Sequence, residues 1–146
     1  MIQLFHGSDV SVANPKVEAG RAKVDFGRGF YLSSLSDQAK SWARVIASRT
    51  RNGKPVLNTY DFNEAMVKNM LGARYKVFDA YDMEWLNYVI DCRRGGESQL
   101  QYDVIEGGVA NDNVIDTVED YENGIITAEQ ALGQLVYKKV NHQICI

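Results

Sequence analysis

The sequence predicts a single α+β domain. Its 146 residues lie within the size range of one domain and are enough to bury a core without a disulfide or metal staple. Segments with alternating apolar residues are mixed with segments in which apolar residues recur every three or four positions. The regular strand–helix–strand alternation of a doubly wound sheet is missing.

Residues 2–6 (IQLFH) read as a first strand that runs into a His-Gly-Ser turn. Residues 9–29 read as irregular, with glycines at 20, 27 and 29, and "GFYLSS" follows as a second strand. Ser36 is placed to cap a helix in which Ala39, Trp42, Ala43 and Ile46 share one face, ending near Gly53. "PVLNTYDF" alternates as a strand, and Asn63 to Leu71 reads as a helix stopped by Gly72. Trp85, Leu86, Val89 and Ile90 mark a further helix closed by Gly95. "YDVIEGGVA" reads as a buried strand whose glycines suggest a bulge. Val114, Val118 and Tyr121 fit a helix that ends at Gly124. Thr127 with Gln130 forms a capping-box pattern for the next helix, which carries Ala128, Ala131, Leu132 and Leu135. "HQICI" reads as the last strand.

The formal net charge of -3 and pI near 5.4 argue against a general nucleic-acid binder. Arg49 with Arg51, or Arg93 with Arg94, supplies at most a small basic patch, and such pairs also suit solvated helix ends. Cys92 and Cys145 lack metal-ligand spacing and are too few for a disulfide framework, so reduced thiols in a cytoplasmic protein are expected. The first residues lack a basic stretch followed by a long apolar run, and no stretch approaches the ~20 apolar residues of a membrane helix.

His6 and His142 are the only histidines, and neither sits in a Cys/His cluster, so no metal is expected. "DFGRGFY" has neither the GxGxxG spacing nor a Walker lysine, and it precedes a strand where phosphate-cradling glycines open a helix. The remaining candidates are polar groups on separate strands: His6 on the first, Tyr31 on the second after two glycines, and Gln143 on the last. Each has a plain structural reading. His6 suits a hydrogen-bonded structural ring, Tyr31 and Trp42 suit a core, and Gln143 suits a strand surface. Only their convergence in one cleft makes chemistry.

"FHGS", then "GRGFYLSS", then a helix carrying "QAKSWA" resembles the diphtheria-toxin-like branch of the ADP-ribosyltransferases, which includes the poly(ADP-ribose) polymerases. The chain also resembles a family of small bacterial proteins assigned to that fold, in which "DFGxGFY", "YDxxxGxVAxD" and a late "QIC" recur. Here these are Asp25 to Tyr31, Tyr102 to Asp112 and Gln143 to Cys145. The resemblance spans nearly the whole chain loosely, is specific only in residues 3–43, 102–112 and 141–146, and implies one domain over residues 1–146. It implies split β-sheets with surrounding helices and NAD as a substrate.

The resemblance implies a role for each residue. His6 would bond the adenosine-side ribose, and Gly7 would hold the nicotinamide amide through its backbone, its missing side chain letting an amide plane lie close. Ser8 and Gly29 would border the site. Tyr31 would stack on the nicotinamide ring, with Trp42 as the second stacking candidate. Gln143 stands where the best-known members carry glutamate. A glutamine still accepts a hydrogen bond but carries no charge and is no general base. Glu106, Asp103 and Asp112 are possible alternative acids.

Catalytic His6, Tyr31 and Gln143 would then make the chain a mono-ADP-ribosyltransferase that releases nicotinamide and modifies an acceptor, expected to be a protein. A toxin-type effector neutralised by a partner protein is a further expectation of the resemblance. The acidic run Asp116, Glu119, Asp120 and Glu122 either selects a basic partner or is a solvated helix face. The alternative function is a weak or inactive NAD-, nucleotide- or protein-binding module on the same fold.

Overall fold

Two small sheets meet at one short strand. The computed structural model describes residues 2–16, 24–70, 72–110, 114–136, 138 and 142–146. β1 (Ile2–Ser8) pairs antiparallel with β3 (Val56–Phe62), from Ile2 opposite Phe62 to Ser8 opposite Val56. The second sheet has the order β2 (Tyr31–Leu32), β6 (His142–Cys145), β5 (Val104–Gly108), β4 (Tyr75–Val77). Within it β2–β6 and β6–β5 are antiparallel, and β4–β5 is parallel. Phe5 and Ser33 exchange two backbone hydrogen bonds of 2.8 Å and so join the sheets. Two sheets with five helices make the α+β arrangement that the mixed segments predict.

The helices follow their local signals, with corrections. α1 (Ser36–Arg49) lies on β1 through Ala39, Ala43 and Ala47, whose small side chains allow close approach. Leu35, not Ser36, is its N-cap residue, and it provides no side-chain cap; Ser33 Oγ instead accepts the Leu35 N–H at 3.0 Å. Trp42 is 38% exposed, so the expected apolar face of α1 is shifted to the alanines. α2 (Glu64–Lys68) is shorter than residues 63–71 and buries no residue; Asn63 caps it by accepting the Met66 N–H at 3.0 Å. α3 (Met83–Arg93) is capped by Asp82, whose Oδ1 accepts the Trp85 N–H at 2.9 Å. It buries Trp85, Leu86, Tyr88, Val89, Ile90 and Cys92, so it is a central helix rather than an amphipathic one. α4 (Ile115–Glu122) and α5 (Ala128–Leu135) follow, and the Thr127–Gln130 capping box is formed. Leu71, Gly20 and Asp112 lie outside the described residues.

The glycines of β5 make no bulge. The ladder runs evenly through Gly107 opposite Gln143 and Gly108 opposite His142. They provide room instead. A Cβ on Gly107 would lie 3.1 Å from Phe26 and Phe78, and one on Gly108 would lie 2.2 Å from Tyr81. β4 and a 3₁₀ turn at Glu97–Leu100 were not anticipated, being too short for periodicity to register.

The pairing register explains the core. Side chains of paired residues share a face and alternate along each strand. Tyr31, Ile105, Gly107, Gln143 and Cys145 therefore face one way, towards the cluster built on Phe26, Phe78, Trp85 and Tyr88. Leu32, Val104, Glu106, His142 and Ile144 face the other way, where Leu4 of β1 completes a second cluster. Asp82→Ala should lower the unfolding free energy by about 1 kcal/mol through loss of the α3 cap, measured by urea denaturation.

Candidate functional site

His6 sits at the seam between the sheets. Its Nδ1 is 2.7 Å from the Tyr31 carbonyl oxygen, and its ring stacks on Phe30 with centroids 4.2 Å apart. A carbonyl only accepts, so Nδ1 carries the proton and donates. In the neutral ring Nε2 is then the acceptor, and no described residue bonds it.

Gly7 follows. Since Phe5 turns its N–H and C=O towards Ser33, strand alternation turns those of Gly7 to the same side, away from β3. No described residue takes them up. The absent side chain has a different reason from the one expected. A Cβ would lie 2.0 Å from the Ala39 carbonyl oxygen and 2.8 Å from the Ala43 nitrogen, so α1 occupies that space. What Gly7 leaves open is a main-chain edge. Trp42 precedes Ala43 on α1, with the Arg49 guanidinium 5.9 Å from its ring centroid.

Tyr31 holds a turn. Its hydroxyl accepts the Phe26 N–H at 2.9 Å and donates to the Gly27 carbonyl at 2.6 Å. Gly27 has φ +80, the left-handed region that favours glycine. Burial pushes the Tyr31 phenol far above its usual range. Phe26 lies against the Tyr31 ring, with centroids 6.4 Å apart and planes at 17°. The turn is latched by buried Asp25, whose Oδ1 accepts from Arg93 Nη1 and whose Oδ2 accepts the Ala110 N–H, both at 2.9 Å.

Gln143 is buried, and its Nε2 has no described hydrogen-bond partner. It shares the face of Tyr31, whose direct partner Cys145 lies two positions on. Such diagonal neighbours stand ~7–8 Å apart. Phe26 closes this face, packing over Gly107, the residue opposite Gln143. The His6–Tyr31 bond thus brings His6, Gly7 and Tyr31 together at the seam, while Gln143 lies on the Tyr31 face of β6, the next strand of the sheet. Two expected neighbours do other work. Ser8 shapes the turn after β1, its Oγ accepting the Val10 N–H at 3.3 Å. Gly29 gives way to β6, because a Cβ there would lie 2.4 Å from Cys145 Sγ.

Asn58 escaped sequence reasoning. It is buried opposite His6 on β3, donates to the His6 and Val10 carbonyls at 3.3 and 3.1 Å, and accepts the Val12 N–H at 2.9 Å. An amide in the middle of an alternating strand was the available signal. Of the other acids considered, Asp103 bonds Arg74 at the surface, and that guanidinium holds its carboxyl below the usual range. Glu106 is buried on the opposite sheet face beside His142. Glu122 pairs with Arg94.

Residues 2–146 match the model of a family described as a protein of unknown function, DUF3990. The chain belongs to that family. No curated protein and no solved structure matches it. Among the described residues, no three metal-ligating side chains come together, and no helix is long and apolar enough to cross a membrane.

Gly7→Ala should cost about 3 kcal/mol, the upper end of overpacking, in urea denaturation. Burial pushes the Cys92 thiol up to about 12 and the Cys145 thiol up to about 11. Both lie above the ordinary thiol value of 9.0, so the contribution of these thiols to stability is full below pH 9 and falls as pH rises towards 11–12. Mass spectrometry after iodoacetamide treatment at about pH 8 should find neither thiol alkylated in the folded protein and both alkylated in urea.

Proposed function

We propose that the seam binds NAD and cleaves its nicotinamide–ribose bond, the chain acting as a mono-ADP-ribosyltransferase. The observation that carries this reading is the 2.7 Å His6–Tyr31 hydrogen bond, which leaves Nε2 as an acceptor in the residue before the open peptide edge of Gly7. The ordered "FHGS" and "GRGFYLSS" motifs support it. The residues suit the dinucleotide. An imidazole acceptor matches a ribose hydroxyl, and one N–H beside one C=O matches a primary carboxamide. The orphaned Gln143 amide matches a ribose hydroxyl.

NAD supplies an activated ribose whose glycosidic bond breaks to transfer ADP-ribose. The chain's residues orient it: His6 through Nε2, Gly7 through its main chain, and Gln143 through its side-chain amide, whose Nε2 is left without a partner among the described residues. A ring stacked on Tyr31 displaces Phe26, so the 24–29 turn moves on binding. Gln143 brings no charge to the developing cation, which favours transfer of one ADP-ribose over chain elongation. A protein acceptor and a neutralising partner protein rest on the resemblance alone. Two free buried thiols support a cytoplasmic setting.

The uncharged Gln143 also favours a second reading, a module that binds NAD without turnover. Chromatography of purified protein incubated with NAD should detect released nicotinamide. His6→Ala should lose about twofold to tenfold of the rate, the worth of one neutral hydrogen bond at about 0.5–1.5 kcal/mol. Binding by calorimetry without release would support the second reading. Neither binding nor release with any acceptor tried would overturn both.

A further inference from the structure

On the sheet face opposite Tyr31 and Gln143, three side chains are hydrogen-bonded in series. Ser34 Oγ lies 3.2 Å from His142 Nδ1, and His142 Nε2 lies 3.2 Å from Glu106 Oε1. The β2–β6 register, continued from Leu32 opposite Ile144, sets Ser34 opposite His142; the β5–β6 register sets Glu106 diagonal to it. Exposure falls along the series. Ser34 is exposed, the His142 side chain is 34% exposed and that of Glu106 is 8% exposed.

This order has chemical content. A carboxylate is an acceptor, so it selects the Nε2–H tautomer and leaves the Nδ1 lone pair to accept the Ser34 O–H. A hydroxyl at the surface, a base behind it and a buried acid that orients the base are the parts of an activated serine. The ring nitrogens are exchanged relative to the commonest arrangement, which leaves the proton transfer unaltered.

Beside Ser34 lies an open cavity of about 630 Å³, lined by Ser34, Leu35, Ser36, Asp37, Gln38 and Ser41. The first turn of α1 faces it. The first backbone bond of the helix is Ala39 N–H to Leu35 C=O, so the N–H groups of Ser36, Asp37 and Gln38 have no intrahelical partner. No described side chain caps them. They are donors for an oxyanion next to the hydroxyl. Leu35, 46% exposed, offers an apolar contact, and no basic residue lines the cavity. With Asp37 in the lining, the substrate class is neutral or cationic.

We propose that Ser34, His142 and Glu106 form a serine-nucleophile centre that hydrolyses small neutral or cationic acyl esters. Ser34 Oγ attacks the acyl carbon while its proton passes to His142 Nδ1. The C–O bond to the alcohol breaks, and the alcohol leaves with that proton. Water, deprotonated by the same nitrogen, attacks the acyl-serine and releases the carboxylic acid and free Ser34. None of these groups belongs to the His6 site.

The test is incubation of the intact wild-type chain with a fluorophosphonate probe, and separately with p-nitrophenyl acetate. Peptide mass spectrometry should find the label on Ser34. Ester hydrolysis should fall at least about 100-fold in Ser34→Ala and at least about tenfold in Glu106→Gln, with Ser48→Ala unchanged. Absence of label from wild-type Ser34, which needs no variant to fold, overturns the proposal, as does hydrolysis unaffected by Ser34→Ala. Nicotinamide release from NAD has no bearing on either outcome.

Discussion

The hydrogen bond from His6 Nδ1 to the Tyr31 carbonyl ties the two sheets where their shared backbone ladder ends. One residue earlier, Phe5 and Ser33 exchange both backbone bonds. Beyond that point β1 keeps β3 as its partner and backs onto α1, while β2 keeps β6. A side chain replaces a backbone pair at the divergence, and that choice sets the tautomer of the ring. The Phe30 ring beneath and the Asn58 amide opposite hold the same histidine from other directions. A ring held by the Tyr31 carbonyl and the Phe30 ring would lose little further freedom on accepting a ligand hydroxyl.

Around that tie the molecule divides its polar groups by sheet face. The face of Tyr31 carries an aromatic core under α3, and Phe26 packs against it from the 24–29 turn. Asp25 links the turn to α3 and to the end of β5 through both carboxylate oxygens, one accepting from Arg93 and one from the Ala110 N–H. In this core the Gln143 Nε2 and the Tyr88 hydroxyl lack partners among the described residues, and a buried polar group left unpaired costs about 1–3 kcal/mol. The opposite face carries Glu106 and His142 as a bonded pair. The two faces therefore present different chemistry from adjacent residues of one strand.

Much of the fold was legible because its signals are local. The Thr127 capping box, the Asp82-capped helix around Trp85 and the alternation of residues 56–62 depend on neighbours a few residues away. What could not be read depends on distant contacts. Gly7 looked like an opening for a ligand, yet its Cβ position is filled by the Ala39 carbonyl of a helix more than thirty residues on. Gly107 and Gly108 looked like a bulge, yet they make room for Phe26 and Tyr81. Trp42 fitted an apolar stripe, but Gly7 draws α1 in so closely that only alanines fit beneath it. The order of the motifs singles out His6, Tyr31 and Gln143 as candidates. The roles of the Tyr31 carbonyl and hydroxyl, and the part played by Asn58, belong to tertiary hydrogen bonds that no spacing encodes.

The Tyr31 carbonyl holds His6 as the Nδ1–H tautomer, and the proposed function turns its Nε2 to a dinucleotide. Long-range ¹⁵N–¹H correlation spectra of the histidine rings, recorded with and without NAD, test it most directly. We expect a protonated Nδ1 and a bare Nε2 for His6 in the free protein, with the Nε2 resonance shifting as NAD is added. A protonated Nε2 with a bare Nδ1, or a His6 Nε2 signal indifferent to saturating NAD, would contradict it.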